Sequence, residues 1–305
     1  MSDITVSIFI LTYNQEQFIA QTIEGVLMQK TNFKYQLVIG EDCSIDKTRV
    51  ICESYAKEYG VKIKLLPNLP NNIGLISNYM RTIKECDGKY IAICDGDDYW
   101  IDENKLQKQV DFLENNPEYS IVYTAIKLLY SDGNLKNWNP NPRNAGTQFE
   151  HLIFDNHIPS VSVLFKNIQN SENELPTWVA NFPFGDWPTY LWTIRNGGKI
   201  HFLKDITAVY RMDTGISTQI RKVNSNILKI NLEILNYIFS DINFIHKKDI
   251  VYKAILEKKL NLMSSYNREG KYFKAFRQYI INLKQRGVNY NDAKMYLYSI
   301  YKSLV

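Results

Sequence analysis

The sequence predicts an α/β fold, with a mostly parallel sheet flanked by helices, followed by an all-helical C-terminal region. Apolar runs alternate with amphipathic segments through the first 220 residues, which is typical of a parallel sheet. Beyond Lys222 the apolar residues recur at helical spacing. Because 305 residues suffice for about two domains, we expect a first domain over residues 1–220 and a helical region over residues 221–305.

Strands and helices are predicted in turn along the chain. Strands are expected over residues 6–11, 35–40 and 61–66, each followed by a segment whose apolar residues have helical spacing. A fourth strand begins at Tyr90 and is apolar enough to be covered on both faces. The remaining pattern predicts a helix over 104–115, a strand over 120–124, a long loop over 131–146, a strand over 161–166, a helix just after Asp186 and a strand pair over 199–210.

Three of the predicted strands end in polar residues. Thr12, Tyr13 and Asn14 follow the first strand, Asp42 follows the second, and the run from Asp95 to Asp98 follows the fourth. Ligands bind beyond the carboxyl ends of parallel strands, so we expect these residues to share one rim. The glycine patterns of dinucleotide and P-loop sites are absent from the sequence.

The carboxylates Asp95, Asp97 and Asp98 surround a single glycine, Gly96. Carboxylates this close raise one another's pKa unless a cation offsets their charge. Oxygen ligands favour Mg²⁺ or Mn²⁺ over zinc, and Tyr99 excludes a calcium EF-hand because it stands where that loop needs an oxygen ligand. A solvated Asp-Gly turn is the alternative at this point.

Two further charged residues have two interpretations each. Asp186 precedes an apolar helix, where it is either an N-cap or a general base whose pKa is raised by the surrounding aromatic residues. Arg211 follows the last predicted strand, where its forked donors either bind a diphosphate or form a surface salt bridge.

Charge and cysteine content bear on partners and compartment. Residues 221–305 carry 16 Lys and Arg against 6 Asp and Glu, whereas the first 220 carry 20 against 26. The basic helices of residues 221–305 could therefore bind an anionic membrane surface. A helical cap or a homodimer contact is the alternative. Four cysteines without a CxxC pair indicate a reducing cytoplasm. The N-terminal apolar run is too short for a signal peptide or membrane span.

Six short motifs occur in an order that is characteristic of one enzyme family. They are residues 7–14 (SIFILTYN), 38–46 (VIGEDCSID), 72–74 (NIG), 95–100 (DGDDYW), 185–186 (GD) with 191–192 (LW), and 210–211 (YR). Together they resemble the family 2 inverting glycosyltransferases, which have the GT-A (Rossmann-like) fold. The resemblance covers about residues 4–217.

The resemblance implies a role for each matching residue. Tyr13 would stack on the nucleotide base, Asp42 would accept a hydrogen bond from the base, and Asp186 would take the acceptor's proton. Mn²⁺ or Mg²⁺ would be bound by the metal ligands Asp95 and Asp97. The implied donor-binding residues are Thr12, Tyr13, Asn14, Asp42, Asn72, Gly74, Asp95, Gly96 and Arg211.

Three positions depart from the family pattern. Asp213 stands where the family commonly has His two residues after the flap Arg, which puts the flap contacts to the diphosphate in question. Leu11 and Glu103 stand where Pro is frequent, so the adjacent loops differ locally. The last 85 residues match no motif of the family.

The resemblance implies a metal-dependent inverting enzyme that uses a nucleotide sugar, with a UDP-sugar as the expected donor. A glycan or lipid-linked acceptor in surface polysaccharide synthesis is expected, in the cytoplasm or at the inner face of the membrane, and no nucleic-acid partner. A sugar-phosphate nucleotidyltransferase is one alternative, although its Gly-rich phosphate loop is missing after the first strand. A non-catalytic glycan-binding scaffold is the other.

Overall fold

The structure is a computed structural model that describes residues 3–140, 148–168, 173–212, 214–215, 220 and 222–304. Residues 141–146 of the predicted loop and the departing residue Asp213 lie outside the described residues. The chain divides into two compact units, one made of residues 1–152 and 156–215 and the other of residues 153–155 and 216–305. The predicted division into a first domain over residues 1–220 and a helical region over residues 221–305 stays a prediction as a division of function.

Nine strands among the described residues form one sheet. They are β1 (Val6–Thr12), β2 (Tyr35–Glu41), β3 (Ile63–Leu65), β4 (Tyr90–Ile93), β5 (Tyr99–Trp100), β6 (Tyr119–Leu129), β7 (Leu135–Trp138), β8 (Leu164–Lys166) and β9 (Lys199–Arg211). The order is β3-β2-β1-β4-β8-β6-β9-β5, with β7 added to β6. The sheet is parallel from β3 to β4 and mixed beyond, because β8 runs antiparallel to both of its neighbours.

The first unit also contains α1 (Ile19–Leu27), α2 (Thr48–Tyr59), α3 (Leu75–Lys84), α4 (Lys105–Asn115), α5 (Phe149–Leu152) and α6 (Asp186–Thr193). All seven residues of β1 are buried, as expected of a central strand covered on both faces. Its one interior polar side chain, Ser7, accepts a hydrogen bond from the Gly88 N–H at 2.9 Å. The predicted α/β class is confirmed.

Two local predictions are wrong. The loop predicted over residues 131–146 contains β7, because a tight turn at Gly133 (φ 82°) returns the chain along β6. The exposed, polar sequence of β7 lacks the apolar alternation by which strands are recognised. The strand pair predicted over residues 199–210 is one continuous strand, β9, whose register against β6 shifts at irregularities.

The second unit consists mainly of four helices, α7 (Asn224–Ser240), α8 (Lys248–Arg268), α9 (Tyr272–Arg286) and α10 (Tyr290–Leu304). Helix α8 packs against the other three, and Leu262, Tyr266 and Ala275 belong to a buried cluster between them. The predicted C-terminal helices are therefore present. Among the described helices, none has the length and apolarity needed to cross a membrane.

Glu269 joins two helices of this unit. Its carboxylate accepts hydrogen bonds from the Ser225 N–H and hydroxyl, both at 2.7 Å, from Ser265 at 3.0 Å and from the Lys271 ammonium at 2.6 Å. Burial raises the pKa of Glu269, but the hydrogen bonds from Lys271, Ser225 and Ser265 outweigh it and lower that pKa from 4.5 to about 2. The folded state therefore favours the ionised carboxylate.

We expect the free energy of unfolding to fall as the pH drops from 4.5 to about 2, because the unfolded chain binds this proton first. The loss from this group is at most about 3 kcal/mol. Glu269→Gln should lack the contribution already at neutral pH, and its stability should converge on that of the wild type in acid. Urea unfolding followed by circular dichroism measures both, with the exposed Glu257→Gln on the same helix as the control. Parallel pH profiles of wild type and Glu269→Gln would contradict the prediction.

Candidate active site

The carboxyl ends of three strands meet because β1 lies between β2 and β4. The Asp42 N–H donates to the Thr12 carbonyl at 3.1 Å, which ties the end of β2 to that of β1. The Gly96 N–H donates to the Leu11 carbonyl at 3.0 Å, which ties the loop after β4 to the same place. The three polar strand ends that the sequence predicted therefore lie on one rim.

Two turns at this rim contain residues in the left-handed region. Asn14 has φ 52° and Cys43 has φ 58°, conformations that are uncommon outside glycine. The turns hold each other, since the Asn14 N–H donates to the Ser44 hydroxyl at 3.0 Å and the Ile45 N–H donates to Asn14 Oδ1 at 2.9 Å. Tyr13, which directly follows β1, has 43% of its surface exposed. Its ring is thus available for stacking.

Asp42 is buried and organises the loop that follows β3. Its carboxylate accepts hydrogen bonds from the Asn72 amide, the Ile73 N–H and the Gly74 N–H, each at 2.9 Å. Gly74 has φ 85°, a backbone conformation that glycine adopts without strain. Asp42 thus fixes the predicted Asn-x-Gly segment in place, and its predicted contact with a nucleotide base stays a prediction.

The aspartate loop, residues 95–98 after β4, is held tightly against β1. A Cβ on Gly96 would lie 2.9 Å from both the Leu11 carbonyl oxygen and Thr12 Cβ, so a larger residue does not fit without displacement. Thr12 in turn donates to Gln15 Oε1 at 2.8 Å. Gly96 therefore permits a close approach between the backbone of this loop and that of β1.

Asp95 and Asp98 have strongly perturbed acidities. Burial raises the pKa of Asp95 to about 7, the charges of Asp97 and Asp186 add to the rise, and a 2.9 Å hydrogen bond from Ser160 opposes it. Burial and the charges of Asp97 and Asp95 also raise the pKa of Asp98 well above its usual value. The loop thus concentrates negative charge that a divalent cation would offset.

Arg211 braces the aspartate loop from β9. Its N–H donates to Asp98 Oδ1 at 2.8 Å, and its guanidinium donates to the Asp97 carbonyl and to Gln21 Oε1. The guanidinium also lies over the rings of Phe18 and Tyr99, at 4.6 and 4.8 Å from their centroids. These contacts are not the surface salt bridge that was the alternative. They give Arg211 a structural role that the sequence did not reveal.

Two carboxylates of the aspartate loop suit a cation that is shared with a substrate. In the described parts of the chain no three His, Cys, Asp or Glu side chains are placed to bind a metal ion together. Mg²⁺ is typically bound by one or two carboxylates plus substrate phosphates, so Asp95 and Asp97 suit a cation that arrives with a phosphorylated donor. The raised pKa of Asp95 agrees with this fit, because a bound cation would restore its ionised form.

Asp186 is the first residue of α6, and the N-cap position belongs to Gly185 with no capping side-chain hydrogen bond. The interpretation of Asp186 as an N-cap is therefore wrong. Its Oδ2 accepts a hydrogen bond from the Asn156 amide at 2.8 Å. Since its charge raises the pKa of Asp95, Asp186 lies near the aspartate loop.

Three residues of the site were not predicted from the sequence, namely Tyr79, Asn156 and Ser160. Tyr79 packs its ring against Gly185, where a Cβ would lie 2.7 Å from the ring, and donates to Thr189 at 2.9 Å, so it positions the start of α6. Asn156 and Ser160 donate to Asp186 and Asp95. Gly185 next to Asp186 was the one available signal, because an isolated glycine there indicates a close approach.

Solved structures identify the fold. The fold matches Staphylococcus aureus TarS 1-349 in complex with UDP-GlcNAc, with TM-score 0.66 and 17% identity over 99% of this chain and 88% of that one. It also matches the Pyrobaculum calidifontis mannosyltransferase PcManGT in complex with GDP-Man and Mn²⁺, with TM-score 0.63 and 14% identity over 98% of this chain and 80% of that one. The predicted GT-A fold, that of these glycosyltransferases, is confirmed.

Sequence comparison then gives the family. The model described as "Glycosyl transferase family 2" matches residues 7–166, and the chain belongs to this family. An uncharacterised Mycobacterium tuberculosis protein is 33% identical over 208 residues, 67% of this chain but only 58% of that protein. A putative teichuronic acid biosynthesis glycosyltransferase of Bacillus subtilis is 26% identical over 68% of this chain and 79% of its own length. Of the classes considered from the sequence, a glycosyltransferase is the one supported.

Proposed function

We propose that this protein is an inverting, metal-dependent glycosyltransferase that transfers a sugar from a UDP-sugar to a glycan or lipid-linked acceptor. The observation that carries the proposal is that one short stretch of chain contacts both acidic segments, since Asn156 donates to Asp186 at 2.8 Å and Ser160 donates to Asp95 at 2.9 Å. The charges of Asp97 and Asp186 accordingly raise the pKa of Asp95. Asp186 follows Asp95 by 91 residues in sequence and belongs to α6, whereas Asp95 and Asp97 belong to the loop after β4. Such a cluster beyond the carboxyl ends of parallel strands is suited to a donor and a cation.

The donor site follows from the rim. Tyr13 offers an exposed ring for the base, and the segment from Asn72 to Gly74, fixed by Asp42, would border the nucleoside. The backbone of Thr12, Asn14 and Gly96 would also lie beside the bound nucleoside. A bound Mn²⁺ or Mg²⁺ would offset the negative charge that develops on the departing diphosphate.

Asp186 is the proposed general base. Inversion requires attack from the face opposite the leaving group, so one carboxylate that accepts the acceptor hydroxyl's proton is sufficient. The Asn156 amide is oriented as a donor, because its own Oδ1 accepts the Ile158 N–H at 3.1 Å. A hydrogen bond to a carboxylate favours the ionised form, which is the form a base needs.

The proposed class of acceptor is based on the names of related proteins. Besides the teichuronic acid protein, a Bacillus subtilis minor teichoic acid biosynthesis protein is 28% identical over 55% of this chain. Both names refer to cell-surface polymers, so we propose an acceptor of that kind. Nucleotide sugars and four unbridged cysteines are consistent with action in the cytoplasm, at the inner face of the membrane for a lipid-linked acceptor.

Nucleotide binding can be located with a cysteine that the chain already carries. Cys43, next to Asp42, is partly exposed, whereas Cys52, Cys86 and Cys94 are buried. UDP with Mn²⁺ should slow maleimide labelling of Cys43 more than GDP, CDP or dTDP does, with Cys43→Ser as the unlabelled control. Release of UDP from a UDP-sugar in the presence of acceptor should accompany it. Protection without any turnover would favour the non-catalytic scaffold.

Asn156→Ala should lower kcat about ten- to a hundredfold and leave the donor KM unchanged, because a hydrogen bond to a charged group contributes about 1.5–3 kcal/mol. The effect appears in kcat alone because Asn156 contacts the base and not the rim that holds the nucleotide. Steady-state kinetics measure the split between kcat and KM. The exposed Asn115→Ala serves as control. A rise in donor KM at constant kcat would contradict this assignment.

Arg211→Lys tests whether Arg211 positions the aspartate loop. Lysine keeps the positive charge, but its single ammonium lacks the planar fork by which one guanidinium nitrogen donates to the Asp97 carbonyl and the other to Gln21. We expect the Mn²⁺ concentration for half-maximal activity to rise about tenfold, as found for residues that orient metal ligands. Activity should recover at saturating Mn²⁺. If Arg211 served only as a charge for the diphosphate, the metal dependence would not change.

A further inference from the structure

The helical hairpin formed by α9 and α10 exposes large apolar side chains. On α9, Phe273 is 81% exposed and Phe276 is also exposed. On α10, Leu297, Tyr301 and Leu304 are exposed, the last by 73%. The residues on each helix recur at intervals of three, four or seven, so they lie along one side of it. Side chains of this size, recurring on two adjacent helices, form a surface that a folded protein rarely leaves to water.

These residues do not hold the hairpin together. Other side chains of α9 and α10 do so, among them Tyr279 and Tyr296, whose stacked rings have centroids 4.6 Å apart. The hairpin is fixed on α8 by Asn267, whose amide donates to the Ser299 hydroxyl at 2.8 Å, and by the fully buried Ala275. The exposed apolar residues do not belong to the buried cluster that joins these helices to α8.

The charges on the same two helices have one sign. Residues 270–304, all of them described, contain one acidic residue, Asp292, which is buried and paired with Arg286 at 2.8 Å. The other charged residues are all Lys or Arg, and those that are exposed and lie on α9 and α10 are Lys274, Arg277, Lys284, Lys294 and Lys302, besides the half-exposed Arg286. The outer surface of the hairpin is thus apolar, aromatic and positively charged, without an exposed carboxylate.

An anionic lipid bilayer matches this combination. Phe, Tyr and Leu side chains enter the boundary between headgroups and acyl chains, while Lys and Arg pair with anionic headgroups. A second copy of the chain matches poorly, because the same positive residues would face each other across a two-fold interface. The many Lys residues also argue against a protein interface, where Lys is depleted.

We propose that the outer surface of α9 and α10 docks the protein on membranes that contain anionic lipid. Phe273, Phe276, Leu297 and Tyr301 insert at the interface, and Lys274, Arg277, Lys294 and Lys302 contact the headgroups. The docking surface belongs to the second unit and requires no donor, metal or catalysis. Its test is therefore independent of the proposed transferase chemistry.

The experiment is sedimentation of the full chain with vesicles of phosphatidylcholine alone or with 30% phosphatidylglycerol, without nucleotide. We expect binding to the anionic vesicles and at least about tenfold weaker binding to the neutral ones, since each basic residue near the surface contributes about fivefold. Binding should weaken as salt is raised.

Two variants separate the contributions. Replacing Lys274, Arg277, Lys294 and Lys302 by Gln should weaken binding to anionic vesicles more than about fiftyfold. Phe273→Ser with Phe276→Ser should weaken binding to them about tenfold or more, since apolar area drives insertion. The control replaces the exposed Lys57, Lys84, Lys136 and Lys204 of the first unit by Gln, the same change in charge. Circular dichroism verifies that each variant is folded.

Three results would overturn the proposal. One is equal binding to neutral and anionic vesicles, or none to either. Another is an equal loss of binding in the control variant, which would show that net charge and not this surface is responsible. The third is a concentration-dependent dimer that the Phe273 and Phe276 substitutions abolish while vesicle binding persists, which would make the surface an interface between copies.

Discussion

Asp186→Asn is expected to lower the turnover of a UDP-sugar with acceptor about a thousandfold, within the range that general bases contribute. The amide keeps the size of the side chain but cannot accept the proton of the acceptor hydroxyl. Binding of UDP with Mn²⁺ should change little, because Asp186 lies on α6 and the nucleotide rim lies at the ends of β1 and β2. Turnover assays and calorimetry measure the two quantities separately.

The matched control is Asp111→Asn, an exposed carboxylate on α4. It should leave both quantities unchanged. Asp186→Asn that turned over at the wild-type rate would remove Asp186 as the base and leave the donor site intact. A variant that had lost UDP binding as well would instead point to a role for Asp186 in holding the aspartate loop.

The rim of the site was predictable because it depends on local sequence. Parallel strands place their carboxyl ends together, so Thr12, Asp42 and Asp95 could be expected to meet once their strands were recognised. The helical C-terminal region followed from periodicity in the same way. Both predictions use patterns within a window of a dozen residues, which is the distance over which sequence periodicity is informative.

The hydrogen bonds to the acidic residues were not predictable. Ser160 donates to Asp95 across 65 residues, and Asn156 donates to Asp186 across 30. Both donors lie in a stretch without regular periodicity, so only the tertiary fold brings them to the carboxylates. The hydrogen bonds from Arg211 to the aspartate loop likewise depend on the antiparallel pairing of β5 with β9. Strand β5 has only two residues, which is too short for recognition from the sequence.

Asp186 illustrates how a frequent local pattern can mislead. An acidic residue before an apolar helix is most often a cap. Here Gly185 takes the cap position because Tyr79 occupies the space that a Cβ would need, and the helix begins one residue earlier than it would with Asp186 as its cap. The Asp186 carboxylate accepts a hydrogen bond from Asn156 and does not cap the helix.

Asp97→Ala is expected to weaken UDP binding in Mn²⁺ about a hundredfold, because a cation contributes several kcal/mol at a diphosphate. Asp97 is buried at the rim, and its charge acts on both neighbouring aspartates. Removing it takes away one of the two carboxylates that suit a cation in this loop. Calorimetry with UDP, in Mn²⁺ and in EDTA, measures the loss.

The two conditions form a cycle that isolates the cation. In EDTA, wild type and Asp97→Ala should bind UDP with equal and weak affinity, and the difference should appear only when Mn²⁺ is present. A variant that loses affinity equally in both conditions would place Asp97 in the structure of the loop and not at a metal. Full Mn²⁺-dependent affinity in the variant would remove the metal assignment, and with it the reason for so many carboxylates at one rim.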